Sequence, residues 1–210
     1  CAFTLAEVLI TLGIIGVVAA ITLPVVVSKY RQYTLKKQFA KVYSVMSQAL
    51  IKSYYDNDMI IPHCYFILNP DKTLYGWSGS GIECASLAKP LLLKNLNVIK
   101  TCRTNPLSNG CIPKYNRGLN DKQYTLEKII SSYVLSDGTI LIAYDHFPLA
   151  TVVDINGKKG PNKWGHDLFM FYVVTDKDNR NRYYFYPANH DTESGGITAK
   201  EMFERLNLNY

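Results

Sequence analysis

Between Phe3 and Val27 the chain carries one ionisable side chain, Glu7, in an otherwise apolar run. From Val8 to Val27 the run is long enough to cross the hydrocarbon region of a bilayer as a helix, with only Thr11, Gly13, Gly16, Thr22 and Pro24 interrupting it. A cleaved secretory signal has a shorter apolar region, about 7 to 15 residues, followed by a small-residue cleavage site. Here the run leads directly into a second helical pattern, which predicts a retained membrane helix. Gly13, Gly16 and Ala20, spaced three and four apart, form a ridge along which helices approach closely. Pro24 lacks a backbone donor and crowds the carbonyl four residues earlier, so a bend is predicted near Ala20 to Pro24. A carboxylate near the start of a membrane helix is costly unless paired, and Glu7 has no basic neighbour before Lys29. Its partner is therefore expected from another molecule, and the α-ammonium at the start of a second copy would suffice.

After the run, Leu35, Phe39, Val42, Met46, Leu50 and Tyr54 recur at spacings of three or four, with Lys36, Lys37, Lys41, Ser44 and Ser47 between them. This is an amphipathic helix. No Gly or Pro falls between Val25 and Tyr55, so one long helix is predicted whose second half lays its apolar stripe on a head, ending near Asn57, Asp58 and Pro62. Residues 62–123 hold four cysteines and several turn signals and read as irregular, apart from a short helix around Ser86 to Leu96 interrupted by Pro90. From Tyr124 the pattern changes to strands. Ser132 to Leu135 and Thr139 to Tyr144 flank a Ser136-Asp137-Gly138 turn, and Leu149 to Ile155, Leu168 to Thr175 and Arg182 to Tyr186 extend the meander. Ile197 to Leu206 reads as a terminal helix.

Of the net charge of +6, all but one unit comes from the stalk, because beyond residue 53 there are 17 basic and 16 acidic residues. Bulk charge therefore does not support a nucleic-acid-binding head, while Lys29, Arg31, Lys36 and Lys37, just outside the apolar span, suit anionic lipid headgroups. Tyr183, Tyr184 and Tyr186 beside Arg180 and Arg182 are the one stripe that could stack on a polyanion, but they read first as alternating core and surface rings of one strand. The five cysteines form no CxxC pair, which argues against structural zinc. Setting Cys1 aside, Cys64, Cys84, Cys102 and Cys111 read as two disulfides with three connectivities open. The turn residues Asn105, Pro106, Asn109 and Gly110 favour closing Cys102 with Cys111, leaving Cys64 with Cys84. His63, His146, His166 and His190 sit in unlike contexts, and no nucleophile and base form a catalytic constellation. The chain is not expected to be an enzyme.

The string Ala2-Phe3-Thr4-Leu5-Ala6-Glu7-Val8-Leu9-Ile10 resembles the processing and assembly signal of type IV pilins and type II secretion pseudopilins, with Ala2 where the family usually has Gly. The resemblance implies cleavage between Ala2 and Phe3 by a prepilin peptidase, and methylation of the new amino group on Phe3. Glu7 then falls on the family's assembly glutamate and Pro24 on its helix-kinking proline. The implied fold class is α+β, with a long bent N-terminal α-helix packed on an antiparallel β-sheet head. The implied divisions are leader residues 1–2, a membrane and filament-core helix 3–27, an amphipathic stalk 28–56 and an extracytoplasmic head 57–210. The implied function is that of a filament subunit, assembled with itself or other pilins by inner-membrane machinery. The alternatives are a membrane-anchored binding domain and a minor pilin for DNA uptake. The segment Asp154 to Asp167 resembles a loop of pseudopilin heads, which implies calcium held by Asp154, Asn156 and Asp167. A Gly- and Asn-shaped turn accounts for the same residues without metal.

Overall fold

The computed structural model describes residues 4–56, 64–78, 86, 89–115, 131–143, 150–179, 182–190 and 192–208. Compactness divides the chain into two units, Cys1–Lys37 and Gln38–Tyr210. The first consists of the leading part of helix α1 (Leu5–Tyr55), which runs through Pro24 as one helix. Its apolar side chains, among them Leu9, Ile14, Ile21 and Leu23, are exposed.

The second unit begins within α1 and adds β1 (Tyr65–Leu68), β2 (Leu74–Ser78), α2 (Lys89–Lys94), β3 (Val98–Cys102), β4 (Ser131–Leu135), β5 (Ile140–Ala143), β6 (Ala150–Asp154), β7 (Leu168–Asp176), β8 (Tyr183–Pro187) and α3 (Ala199–Arg205). The expected meander is present: β4 to β8 pair antiparallel in succession. Gly138, at φ 90°, supplies the left-handed residue that the β4–β5 turn requires. Residues 62–123 depart from expectation, since β1, β2 and β3 join the same sheet. They are four or five residues long, and β2 is largely exposed, so neither length nor alternation marks them in sequence. The expected antiparallel sheet is also corrected, because β1 runs parallel to β7 and the sheet is mixed. Residues 69–167 separate this pair, ample for the long connection that parallel strands need.

Phe171 of β7 pairs with both Thr151 of β6 and Pro187 of β8, and Val174 with both Phe66 of β1 and Tyr184 of β8. A strand has two edges, so β8 occupies one edge of β7 while β6 and β1 follow each other along the other. β7 is buried at nearly every position rather than at alternate ones, the pattern of a strand covered on both faces. On one face lies α1. Phe39, wholly buried, meets the Phe169 ring edge-on at 4.9 Å and the Phe171 ring at 5.5 Å, and Tyr43 meets Phe203 of α3 at 4.9 Å. Val42, Met46 and Leu50 of the predicted stripe are buried as well. The other face carries Ile140, Ile142, Val152, Leu168 and Met170, under Ile112, Tyr115 and Trp164. Each buried large apolar side chain contributes on the order of 1.5–3 kcal/mol, so this double-sided sheet is the main source of cohesion.

Short polar devices set the ends. Thr198 caps α3 by accepting from the Glu201 N–H at 3.1 Å. The expected helix around Ser86 to Leu96 is only Lys89–Lys94, with Pro90 in its first turn, where a missing N–H costs nothing. Asn57, Asp58, Pro62 and Tyr124 lie outside the described residues.

Candidate functional site

At the start of α1, Thr4 and Glu7 form a reciprocal cap. Glu7 Oε2 accepts from the Thr4 N–H and the Thr4 hydroxyl, each at 2.8 Å, while Thr4 Oγ1 accepts from the Glu7 N–H at 3.3 Å. The T-x-x-E spacing is that of a capping box, a sequence signal the charge argument passed over. The cap gives Glu7 hydrogen bonds but no counter-charge. Ala2 and Phe3 lie outside the described residues, and Pro24 sits within α1. Of the cysteines, Cys102 and Cys111 form the expected disulfide, with Cα atoms 6.4 Å apart. Cys64 is fully buried and also disulfide-bonded, while Cys84, its expected mate, lies outside the described residues.

The loop from β6 to β7 draws together the three residues proposed as ligands. Asp154 closes β6 and Asp167 precedes β7, and both are wholly buried. The Ile155 N–H donates to the Asp167 carbonyl at 2.9 Å, which fastens the two ends of the loop. Asp154 Oδ2 accepts from the Tyr115 hydroxyl at 2.9 Å and Oδ1 from the Asn156 N–H at 3.3 Å. Asp167 Oδ2 accepts from the Asn162 N–H and Oδ1 from the Lys163 N–H, each at 2.8 Å. Burial, and then the charge of Asp167, push the Asp154 carboxyl up to about 7, against the pull of its hydrogen bonds from Tyr115, Asn156 and Gly157. Burial also raises Asp167, against the N–H groups of Lys163 and Asn162.

Local backbone explains the composition of this loop. A short 3-10 turn, Gly157–Lys159, follows Asn156, whose Nδ2 donates to the Gly160 carbonyl at 2.9 Å. A Cβ on Gly157, which sits at φ 66°, would lie 2.3 Å from the Gly138 carbonyl oxygen. Only glycine lets the loop lie against the β4–β5 turn.

Two amide oxygens in this loop, Asn156 Oδ1 and Asn162 Oδ1, are buried without a hydrogen-bond partner. Asn162 was not among the residues singled out from sequence. Its conformation at φ 57° turns it toward Asp167, and that bend has no periodic signature. Among the described residues no group of three His, Cys, Asp or Glu could hold a metal ion. The donors in this loop are all oxygens, the chemistry a hard ion such as calcium takes, while the four carboxylate oxygens already accept hydrogen bonds from Tyr115, Asn156, Asn162 and Lys163. Lys158, which would oppose such an ion, extends its ammonium to the Gly110 carbonyl.

The other candidates resolve into packing. His166 Nε2 lies 3.1 Å from the Ser194 carbonyl and His190 stacks on Trp164 at 5.3 Å, so the two described histidines serve separate contacts. His63 and His146 lie outside the described residues. Tyr184 and Tyr186 are buried, and Tyr183 packs on Tyr54 and Tyr65 at 5.5 and 5.1 Å. The Tyr184 hydroxyl donates to Asp176 at 2.8 Å beneath the Lys72 ammonium, which lies 2.7 Å from the same carboxylate oxygen. These rings are not a free stacking surface; Arg180 lies outside the described residues. Comparison with protein-family models, curated proteins and solved structures finds no match to this chain.

Proposed function

We propose that the chain is a pilin-like filament subunit of the pilin or type II secretion pseudopilin kind, held in the inner membrane by the start of α1 until it is assembled. The observation that carries this reading is a lone acidic residue, Glu7, in the first turn of a helix whose leading apolar surface is long enough to cross a membrane and is exposed throughout. An exposed apolar helix needs lipid or other helices around it. In either setting a carboxylate without a counter-charge costs several kcal/mol, on the order of the penalty for a charge within a membrane helix. The capping box leaves that cost standing, and the processed amino group of Phe3 in a neighbouring subunit would remove it. Loss of that cost on assembly favours incorporation over solitary residence in the membrane.

In this reading the second unit is the extracytoplasmic head. Export is consistent with its Cys102–Cys111 disulfide, which an oxidising compartment preserves. Calcium in the loop of Asp154, Asn156, Asn162 and Asp167 would neutralise the paired carboxylates and order the head. The head has a structural task, with no reaction assigned to it. The decisive experiment is N-terminal sequencing of protein extracted from native membranes. A first residue of N-methylated Phe3 supports the reading; protein in which Ala2 and Phe3 are still joined points instead to a plain membrane-anchored binding domain.

A further inference from the structure

The tyrosines of β8, too enclosed to stack on an open polyanion, help to wall a groove of about 620 Å³ between α1 and β8. Its α1 wall follows from the sequence. Ala40, Ser44, Ser47 and Ile51 recur at spacings of four, three and four, so they form one strip beside the buried stripe of Phe39, Val42, Met46 and Leu50. Three of these four are small and leave room where larger side chains would seal the helix to the strand. Rings line much of the rest: Tyr43, Tyr54 and Tyr55 of α1 with Tyr183 and Tyr184 of β8. Tyr55 is 61% exposed and Ile51 50%, so the wall keeps apolar surface open to a ligand. Arg182 is the one charged side chain among the lining residues, and its guanidinium lies 5.9 Å from the Tyr184 ring centre. The Tyr43 hydroxyl donates to the Phe185 carbonyl at 3.3 Å, tying helix to strand beside the groove. Ser47 Oγ is enclosed and has no partner in hydrogen-bonding geometry. Burial raises the Tyr43 phenol, and the nearby Ser47 hydroxyl and the Arg182 charge both pull it back, which places the three polar groups in one neighbourhood.

We infer that this groove binds a small aromatic carboxylate, its ring against Ile51, Tyr54 and Tyr55 and its carboxylate on Arg182 and the Ser47 hydroxyl. An apolar, ring-lined cleft with a few converging polar groups is the usual form of a small-molecule site, and its volume suits one. Charge selects the ligand's head. A guanidinium meets a carboxylate through paired, charge-assisted hydrogen bonds, and one cation matches one negative charge. A phosphate monoester carries nearly two charges into a groove whose lining holds no second cation. A neutral ligand would cover the guanidinium without compensating its lost water. The walls select the body, because an aromatic ring gains edge and offset contacts with tyrosine rings beyond the area that it buries. Ser47 supplies the remaining specificity, since a buried hydroxyl without a partner is costly and a carboxylate oxygen accepts from it. The inference concerns the head alone, requires no filament and stands or falls separately from the assembly role of Glu7.

The test is isothermal calorimetry of the full chain in uncharged detergent micelles, titrated with phenylpropionate against a blank of empty micelles. Saturable binding with a sub-millimolar dissociation constant is expected. Phenylpropionamide, the same ring without the charge, should bind at least about 10-fold more weakly, the size of one hydrogen bond to a charged group. Arg182→Gln, at an exposed position, should weaken phenylpropionate by the same factor and leave phenylpropionamide unchanged. Ser47→Ala should weaken phenylpropionate by about 2- to 10-fold, as expected for one ordinary hydrogen bond. Lys52→Gln removes an exposed cation of α1 that does not line the groove, and should change nothing. Heat indistinguishable from the blank, equal affinity for the amide, tighter binding of phenyl phosphate, or equal losses from Arg182→Gln and Lys52→Gln overturns the inference. Should Ser47→Ala disturb the packing of α1, Arg182→Gln with the acid and its amide decides alone.

Discussion

Asp154 is the residue whose environment makes the sharpest demand. Its folded pKa, about 7, lies above the ordinary 3.8, so protonation stabilises the fold. That contribution is complete below about pH 4 and lost as pH rises through 7, a span worth up to roughly 4 kcal/mol. The thermal midpoint, followed through the buried Trp164, should therefore fall between those limits, and Asp154→Asn should flatten the fall. Calcium above pH 7 should restore the wild-type midpoint and leave Asp154→Asn unmoved, by about 2.7 kcal/mol at a hundredfold excess over its dissociation constant. An unchanged wild-type midpoint removes calcium from the account. Gly157→Ala meets both a left-handed φ and the Gly138 carbonyl, so it should destabilise by more than about 1 kcal/mol in denaturant unfolding. At this scale Asp154, Asn156 and Asp167 were legible because they stand in one short loop with turn residues between them. Tyr115 and Asn162 were not: one arrives from 39 positions away and the other owes its place to a single backbone turn.

Among the elements, α1 beyond Gln38 meets the sheet through one wholly buried ring, that of Phe39. Phe39→Ala removes the side chain that fills the space between Phe169 and Phe171, and should cost about 3–5 kcal/mol in chemical unfolding. The disulfide after β3 spans nine positions, and Cys102→Ser with Cys111→Ser should cost about 2–3 kcal/mol by the same measurement. The helix stripe could be read from its spacing of three and four, and the β4 to β8 meander from runs rich in β-branched and aromatic residues bounded by turns that carry Gly or Asp. The strands β1, β2 and β3 could not. β1 takes its place from β7 and β3 from β4, neighbours far along the chain, and β2 joins the sheet through β1. A strand held by long-range pairing with little alternation of its own leaves only turn residues and cysteines visible.

For the whole molecule, the question is whether Glu7 serves its own helix or another subunit. The capping box makes the first explanation physically adequate, since Thr4 and Glu7 exchange hydrogen bonds that hold the first turn. Two substitutions separate the explanations. Glu7→Gln keeps a side chain able to complete the box and removes the charge, whereas Glu7→Ala removes both. If Glu7 only caps, Glu7→Gln should assemble like the wild type, and Glu7→Ala should lose about 0.5–2 kcal/mol of helix stability. If Glu7 pairs with the amino group of a neighbouring Phe3, both variants should insert into membranes normally and both should fail to yield sedimentable filaments. Membrane fractionation reports the insertion, and electron microscopy of sheared material reports the filaments. Normal filaments from Glu7→Gln would return the residue to its cap and leave the assembly proposal without its central contact.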